Sequence, residues 1–237
     1  MRIPHHSRGA RVGVFAAGVA VGYLAPGLAA AVPPLRRALG VADRIDDEGA
    51  VALTFDDGPH PQGTPAVLEV LRDRSARATF FLAGEQVEAR PALAAEIVAA
   101  GHEVGVHCRR HRNMLRLAPW QVGDDLRRAE AVIAAATQRE PRLYRPPYGV
   151  FNAAALRYAH ARAWTPLLWT RWGRDWERRA TPASIAATVT DGLRGGDVLL
   201  LHDADYYSAI GSWQKTAAAL PRVLDACGAA GLRVVAA

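Results

Sequence analysis

The sequence predicts an α/β protein whose parallel strands roll into a closed or nearly closed barrel, and three observations predict it. Short apolar, β-branched runs alternate with helical stretches about seven or eight times between residues 50 and 237, the pattern of a parallel sheet with its helices outside. No linker or composition shift interrupts the alternation, so residues 49–237 read as one domain. Asp56, Asp57, His107, His111, Arg145, Asp175 and His202 all fall at or just after predicted strand ends, where such barrels place their functional groups.

The elements follow in order. Val51 to Phe55 is an apolar run that stops at Asp56-Asp57-Gly58-Pro59, a strand followed by a turn. Thr64-Pro65 pairs a capping side chain with a first-turn proline and starts a helix to about Leu71. Ala78 to Leu82 is the second strand, Pro91 to Ala100 a helix closed by Gly101, and Glu103 to His107 the third strand. Pro119 opens a helix to about Ala136, with Leu126, Ala129, Val132 and Ile133 on its apolar side. Ala118 stands before Pro119, where a capping Ser or Thr would serve better. Leu143 to Arg145 is a short strand, Asn152 caps a helix to about Ala163, and Trp164 to Trp169 is the next strand. Thr181-Pro182 starts a helix to Leu193; Asp197 to Leu201 is an apolar strand, Lys215 to Ala229 a helix, and Arg233 to Val235 the last strand.

Composition narrows the function. Half of the 237 residues are hydrophobic, 22% are charged, and the formal charge is +6, carried almost wholly by arginine with Lys215 the single lysine. The excess is spread along the chain, so no nucleic-acid partner is indicated. Cys108 and Cys227 are too few for a disulfide framework. From Val12 to Leu35 no residue is charged, and Arg2, Arg8 and Arg11 precede that run. Residues 1–35 therefore read as an apolar helix serving as signal anchor or signal peptide. Val12 to Val32 is long enough to cross a bilayer if uncleaved, and Ala29-Ala30-Ala31 offers a cleavage site. The expected location is the cell membrane, single-pass with the catalytic domain outside the cytoplasm, or secretion if the segment is cut. Residues 36–48 read as a polar linker, and a monomer is expected.

His107 and His111 form a His-x-x-x-His pair, a spacing that can turn two imidazoles to one side. With one acid from Asp56-Asp57 they make a two-histidine, one-carboxylate set with open positions, suited to zinc or another first-row divalent metal. Alone, either piece is a solvated turn or a pair of surface histidines; together they point to a metal site.

Thr54 to Pro59, His107 with His111, Arg145-Pro146-Pro147-Tyr148-Gly149, Asp175-Trp176 and Leu199-Leu200-Leu201-His202 follow one another in this order. The set resembles the five motifs of the polysaccharide deacetylases, carbohydrate esterase family four, over about residues 48–237. The resemblance implies a distorted (β/α)7–8 barrel and metal-dependent hydrolysis of the N-acetyl amide of an amino-sugar glycan, such as peptidoglycan or a chitin-like polymer. It implies Asp57, His107 and His111 as ligands of one divalent metal, zinc first, with cobalt, nickel or manganese as alternatives. Asp56 would be the general base, Arg145 would keep it ionised, and the backbone N–H of Tyr148 would help hold the oxyanion. His202 would be the general acid, with its pKa raised by Asp175. Leu201 would line the acetyl pocket, with Trp176, Pro147 and Trp172 as further substrate contacts.

Two departures stand out. Cys108 replaces the usual Ser or Thr after the first metal histidine, and Trp172 stands where the family often has a further Asp, so that Asp175 would have to serve both Arg145 and His202. Trp172, Trp176, Tyr206, Tyr207 and Trp213 crowd two strand-end loops and suit a sugar groove as well as core packing. Asp203 and Asp205 read equally as sugar contacts or loop caps, His60 and His102 as structural. Arg109, Arg110 and Arg112 suit either an anionic polymer or a solvated loop. The competing activities are deacylation or deformylation of a lipid-linked amino sugar and non-catalytic glycan binding.

Overall fold

A computed structural model of the chain describes residues 22–237. Eight parallel strands form one sheet: β1 (Ala50–Asp56), β2 (Thr79–Ala83), β3 (Glu103–Cys108), β4 (Leu143–Tyr144), β5 (Thr165–Pro166), β6 (Arg171–Trp172), β7 (Val198–His202) and β8 (Arg233–Val235). Their order is β5-β4-β3-β2-β1-β7-β6, with β8 paired to the first residues of β1. The helices are α1 (Pro33–Ala38), α2 (Gly63–Asp73), α3 (Gly84–Ala89), α4 (Pro91–Ala99), α5 (Pro119–Thr137), α6 (Ala153–Ala161), α7 (Pro182–Thr190) and α8 (Ser212–Ala229).

Strand β1 is the axis of the fold. It is buried along its whole length, and alternation sends its side chains to two different places. Val51, Leu53 and Phe55 join the large core between sheet and helices. Ala52 faces inward with Phe81, Leu167 and Val198 in a small apolar plug. On the same inner face, Thr54 and Asp56 continue above the plug as a polar layer.

The ends of the sheet, β5 and β6, do not pair with each other. Residues 42–44 lie in that seam, with Ala42 bridged to Leu167 and Arg44 to Asp197. The stretch 36–48, expected as a linker, is thus a packed part of the domain that satisfies otherwise bare strand edges. The single strand expected from Trp164 to Trp169 is cut short to Thr165–Pro166, with Arg171–Trp172 a separate strand beyond it, for a related reason. Pro166 has no N–H to donate, and the carbonyls of Leu167 and Leu168 turn to the Arg145 guanidinium. Helix α3 had no capping signal in the sequence. Its first residue, Gly84, lies where a Cβ would press on the backbone of Ala129 and Arg109 at 3.2 Å.

The N-terminal expectation needs correction in its second half; Met1 to Val21 lie outside the described residues. Ala25–Leu28 is a 3-10 turn, Pro26 and Ala29 are buried, and Tyr23 Oη donates to the Leu117 carbonyl at 2.7 Å. Gly22 to Val32 therefore docks on the domain instead of continuing one apolar helix, because Pro26 and the Pro33-Pro34 pair break helical hydrogen bonding. Among the described residues no helix is long and apolar enough to cross a membrane.

The start of α5 is half capped. Ala118 has the extended backbone of a capping residue, and Gln121 Oε1 accepts its N–H at 2.9 Å, but the methyl side chain returns nothing. Ala118→Ser is expected to stabilise the fold by about 0.5–1 kcal/mol, raising the melting temperature by roughly 1–4 °C; calorimetry on both proteins checks it.

Candidate active site

The site begins where β1 ends. Asp56 is the last residue on the inner face, and Asp57 adopts φ +80°. This left-handed turn, which Asp tolerates better than most residues, breaks strand alternation. Both neighbouring carboxylates therefore stay at the mouth of the barrel, both buried.

His107, on β3, and His111, in the loop that follows, bring their Nε2 atoms to 3.3 and 3.5 Å from Asp57 Oδ1. The three donor atoms lie within 4.8 Å of one another. His107 Nδ1 faces the Arg145 carbonyl at 2.8 Å; a carbonyl only accepts, so Nδ1 carries the hydrogen and Nε2 is the nitrogen turned toward Asp57. Asp57 Oδ1 is buried with no hydrogen-bond partner among the described residues. Burial and the neighbouring His107 push the His111 pKa down to about 4, which keeps the His111 ring neutral near pH 7. Two imidazole nitrogens and a carboxylate oxygen converging in this way fit a divalent cation.

The loop carrying the histidines is held by a residue the sequence did not single out. Asp125 of α5 accepts from the Arg109 N–H at 2.7 Å and from Arg112 Nη2 at 2.6 Å. Arg112 is thereby neutralised, and Arg109 pairs with Glu88 at 3.1 Å. Among the described residues only Arg110 of the three is exposed without an ion pair. Cys108 belongs to the helix-side core, and burial pushes its thiol well up. It is a packed small side chain turned away from the histidines.

Arg145 is completely buried, and each of its three nitrogens donates at least one hydrogen bond. Its Nη1 donates to Asp56 Oδ1 and Thr54 Oγ1, both at 2.8 Å; Nε and Nη2 donate to the Leu167 and Leu168 carbonyls at 3.0 and 2.9 Å. The guanidinium also lies 4.0 Å over the Phe81 ring. Asp175 is not among its partners, so the expectation that Asp175 serves both groups is corrected. Backbone carbonyls and Thr54 fill the place of the missing acid, and Trp172 sits at the rim, 45% exposed.

Asp175 is instead committed to His202. Its Oδ1 lies 3.0 Å from His202 Nδ1, and its Oδ2 accepts from the His202 N–H at 2.7 Å and Thr216 Oγ1 at 2.8 Å. Burial would push the imidazole's pKa down, but the Asp175 carboxylate, helped by Asp57 and Asp56, raises it to about 10. Trp176 packs edge-on against His202, with ring centres 5.5 Å apart.

The acetyl-pocket assignment to Leu201 is corrected by strand parity. Val198 belongs to the inner plug and Leu201 to the helix-side core; Leu200, two residues before His202, shares its inward face. Pro147 is buried beside the site, while Tyr148 is exposed at φ +61°, its ring edge-on to His111 at 4.7 Å. Asp203 is buried and bonded to Thr64, and burial pushes its carboxyl up to about 7. Asp205 accepts from the Gly211 N–H at 2.6 Å and pairs with His60 at 3.3 Å. Both acids are loop fasteners. His60 Nδ1 accepts from the Gly63 N–H and His102 Nδ1 from the Ala78 N–H, so both histidines are structural. Asp125 and Thr216 carry no sequence signal, and Thr54 only its place at the head of the first motif, because each acts through a partner distant in the chain.

A parallel barrel with an acid and two histidines at its mouth, a second acid held by a buried arginine, and a histidine–aspartate pair opposite defines a class of metal-dependent hydrolase. The family profile described as polysaccharide deacetylase matches residues 43–165, and the chain belongs to that family. It is 33% identical over 192 residues, 80% of this chain and 87% of the other, to a peptidoglycan-N-acetylglucosamine deacetylase of Bacillus cereus. It is 38% identical over 155 residues, 65% of this chain and 70% of the other, to a chitooligosaccharide deacetylase of a Bradyrhizobium species. A crystal structure of a peptidoglycan N-acetylglucosamine deacetylase bound to a naphthalenyl N-oxidanyl-benzamide superposes with a TM-score of 0.78 at 27% identity, over 85% of this chain and 92% of that one.

Proposed function

We propose that the chain hydrolyses the N-acetyl amide of amino-sugar units in a cell-envelope glycan, releasing acetate and leaving the free amine. The observation that carries this reading is the convergence of Asp57, His107 and His111 with Asp56 on one side and His202 on the other. Asp57 Oδ1 and the two Nε2 atoms would hold one divalent cation, zinc before cobalt, nickel or manganese. Such a cation supplies Lewis acidity, lowering the pKa of water toward about 7 in the best zinc sites and polarising an amide oxygen. Asp56, fixed through Oδ1 by Arg145, accepts at Oδ2 the proton of the attacking water. The Tyr148 backbone N–H donates to the carbonyl oxygen as charge grows there. His202, kept protonated by Asp175, gives its proton to the departing amine. Leu200 offers an apolar wall for the acetyl methyl, and Pro147, Trp172 and Trp176 flank the sugar.

The uncharged, arginine-led N-terminal run supports an export reading, with the domain on the outer side of the membrane, where envelope glycans lie. The test is acetate release from chitooligosaccharides and peptidoglycan fragments with and without chelator. Release is expected to fall at least about a hundredfold on chelation and to return on adding zinc. Glycan binding without release by the zinc-loaded protein would make it a binding barrel. Formate from a lipid-linked amino sugar, with no acetate from the polymers, would make it a deformylase.

A further inference from the structure

The two candidate ligand histidines are oriented in different ways. His107 is fixed by a hydrogen bond from its far nitrogen to the Arg145 carbonyl at 2.8 Å, the ordinary support of a metal-binding imidazole. His111 has no such bond among the described residues. Its ring is instead held by two tyrosines. Tyr207 lies flat against it, with centroids 4.2 Å apart and planes 14° from parallel, and Tyr148 meets it edge-on.

Tyr207 is itself fastened. Its hydroxyl donates to Glu85 Oε1 and accepts from Gln86 Nε2 at 3.4 Å. Glu85 lies at the start of α3, and its N–H donates to the Arg109 carbonyl at 2.9 Å. The tyrosine is thus tied back to the loop that carries His111, two residues before it. Loop 203–211, helix α3 and the histidine loop close one ring of contacts.

We infer that Tyr207 is a positioning residue for His111, doing by face-stacking what the Arg145 carbonyl does for His107. The inference rests on reading Asp57, His107 and His111 as cation ligands. An imidazole's outer torsion is broad, so a ring without a hydrogen-bonded far nitrogen samples orientations that take Nε2 off Asp57. A parallel ring at 4.2 Å forbids most of them. Stacking also occupies one face of Tyr207, so that face is unavailable as a platform for sugar.

Zinc affinity, measured by competition with a chromophoric chelator, tests this without recourse to turnover. Tyr207→Leu removes the flat face and is expected to weaken zinc binding about tenfold to a hundredfold, the usual loss for an outer partner of a ligand. Tyr207→Phe keeps the face, loses the hydroxyl, and is expected to stay within about threefold of the parent. With cobalt as the probe, the leucine protein should also show a shifted visible spectrum. Equal zinc affinity in the parent and Tyr207→Leu overturns the inference, as does an equal loss in Tyr207→Phe, which would assign the effect to the hydroxyl. If the leucine protein does not fold, Tyr207→Met provides the non-aromatic arm. A parent that binds no zinc, or one whose affinity survives Asp57→Ala, removes the ligand reading itself and this inference with it.

Discussion

Asp56→Asn is expected to lower acetate release by about 10²–10⁴-fold, the range for loss of a positioned general base, with zinc content unchanged. The substitution is close to isosteric. An amide oxygen can still accept from Arg145 Nη1, and Asp57, His107 and His111 are untouched. What disappears is the acceptor for the water proton. Stability should also fall, because Arg145 is completely buried and loses the one charged partner that it has within salt-bridge distance among the described residues. Removing one member of a buried ion pair costs about 3–5 kcal/mol, here softened by Thr54 and the Leu167 and Leu168 carbonyls that stay bonded. Turnover, metal content and urea unfolding measured together separate the effects. Turnover retained at the parent rate in folded, zinc-loaded protein would refute the base assignment.

The alkaline limb of the pH–rate profile is expected to move to lower pH in Asp175→Asn. The general acid works only when protonated, so activity fades as pH rises through the pKa of His202. In the parent, Asp175 is the main group lifting that pKa to about 10, with Asp57 and Asp56 adding to it. A cation on Asp57 offsets part of their contribution, so the loaded enzyme's limb is expected between about 6.5 and 10. Without the Asp175 charge the limb drops further, and the rate at pH 8 should fall by roughly tenfold or more.

The same pair links folding to pH. Its folded pKa lies above the unfolded value of about 6.5, so its stabilisation is complete below about 6.5 and is lost as pH rises through about 10. Unfolding midpoints of parent and variant should therefore converge toward pH 10 and differ most below about pH 6.5. A limb that does not move would show that another group protonates the amine.

Much of the fold was legible in the chain, for local reasons. Asn152 and Thr181 were readable as caps, and each accepts a backbone N–H at the start of its helix. The apolar runs before Asp56, His107 and His202 were readable as strands, since burial on both faces of a parallel strand demands continuous hydrophobicity. The misses were non-local. Helix α3 depends on packing against α5 and the histidine loop; β5 stops early because Arg145 takes the next carbonyls; residues 42–44 fill the sheet's open seam, and residues 22–32 dock through Tyr23 and the buried Pro26 and Ala29.

The candidate site divides in the same way. Motif order picks out Asp56, Asp57, His107, His111, Arg145, Asp175 and His202, yet it puts Leu201 at the acetyl pocket where the fold turns Leu200 inward, because parity depends on where the strand lies in the sheet. Asp175 was assigned to Arg145 as well as to His202, whereas the fold gives it Thr216 and supplies Arg145 with main-chain oxygens.

By itself the sequence determined which chemical groups this protein has at its strand ends, because residue type and strand–helix alternation are local properties. Only the tertiary structure decided that Asp57 turns back toward two imidazoles, that Asp125 clamps their loop, and that Tyr207 lies flat on His111. Orientations of that kind come from contacts between segments distant in the chain, which no local pattern encodes.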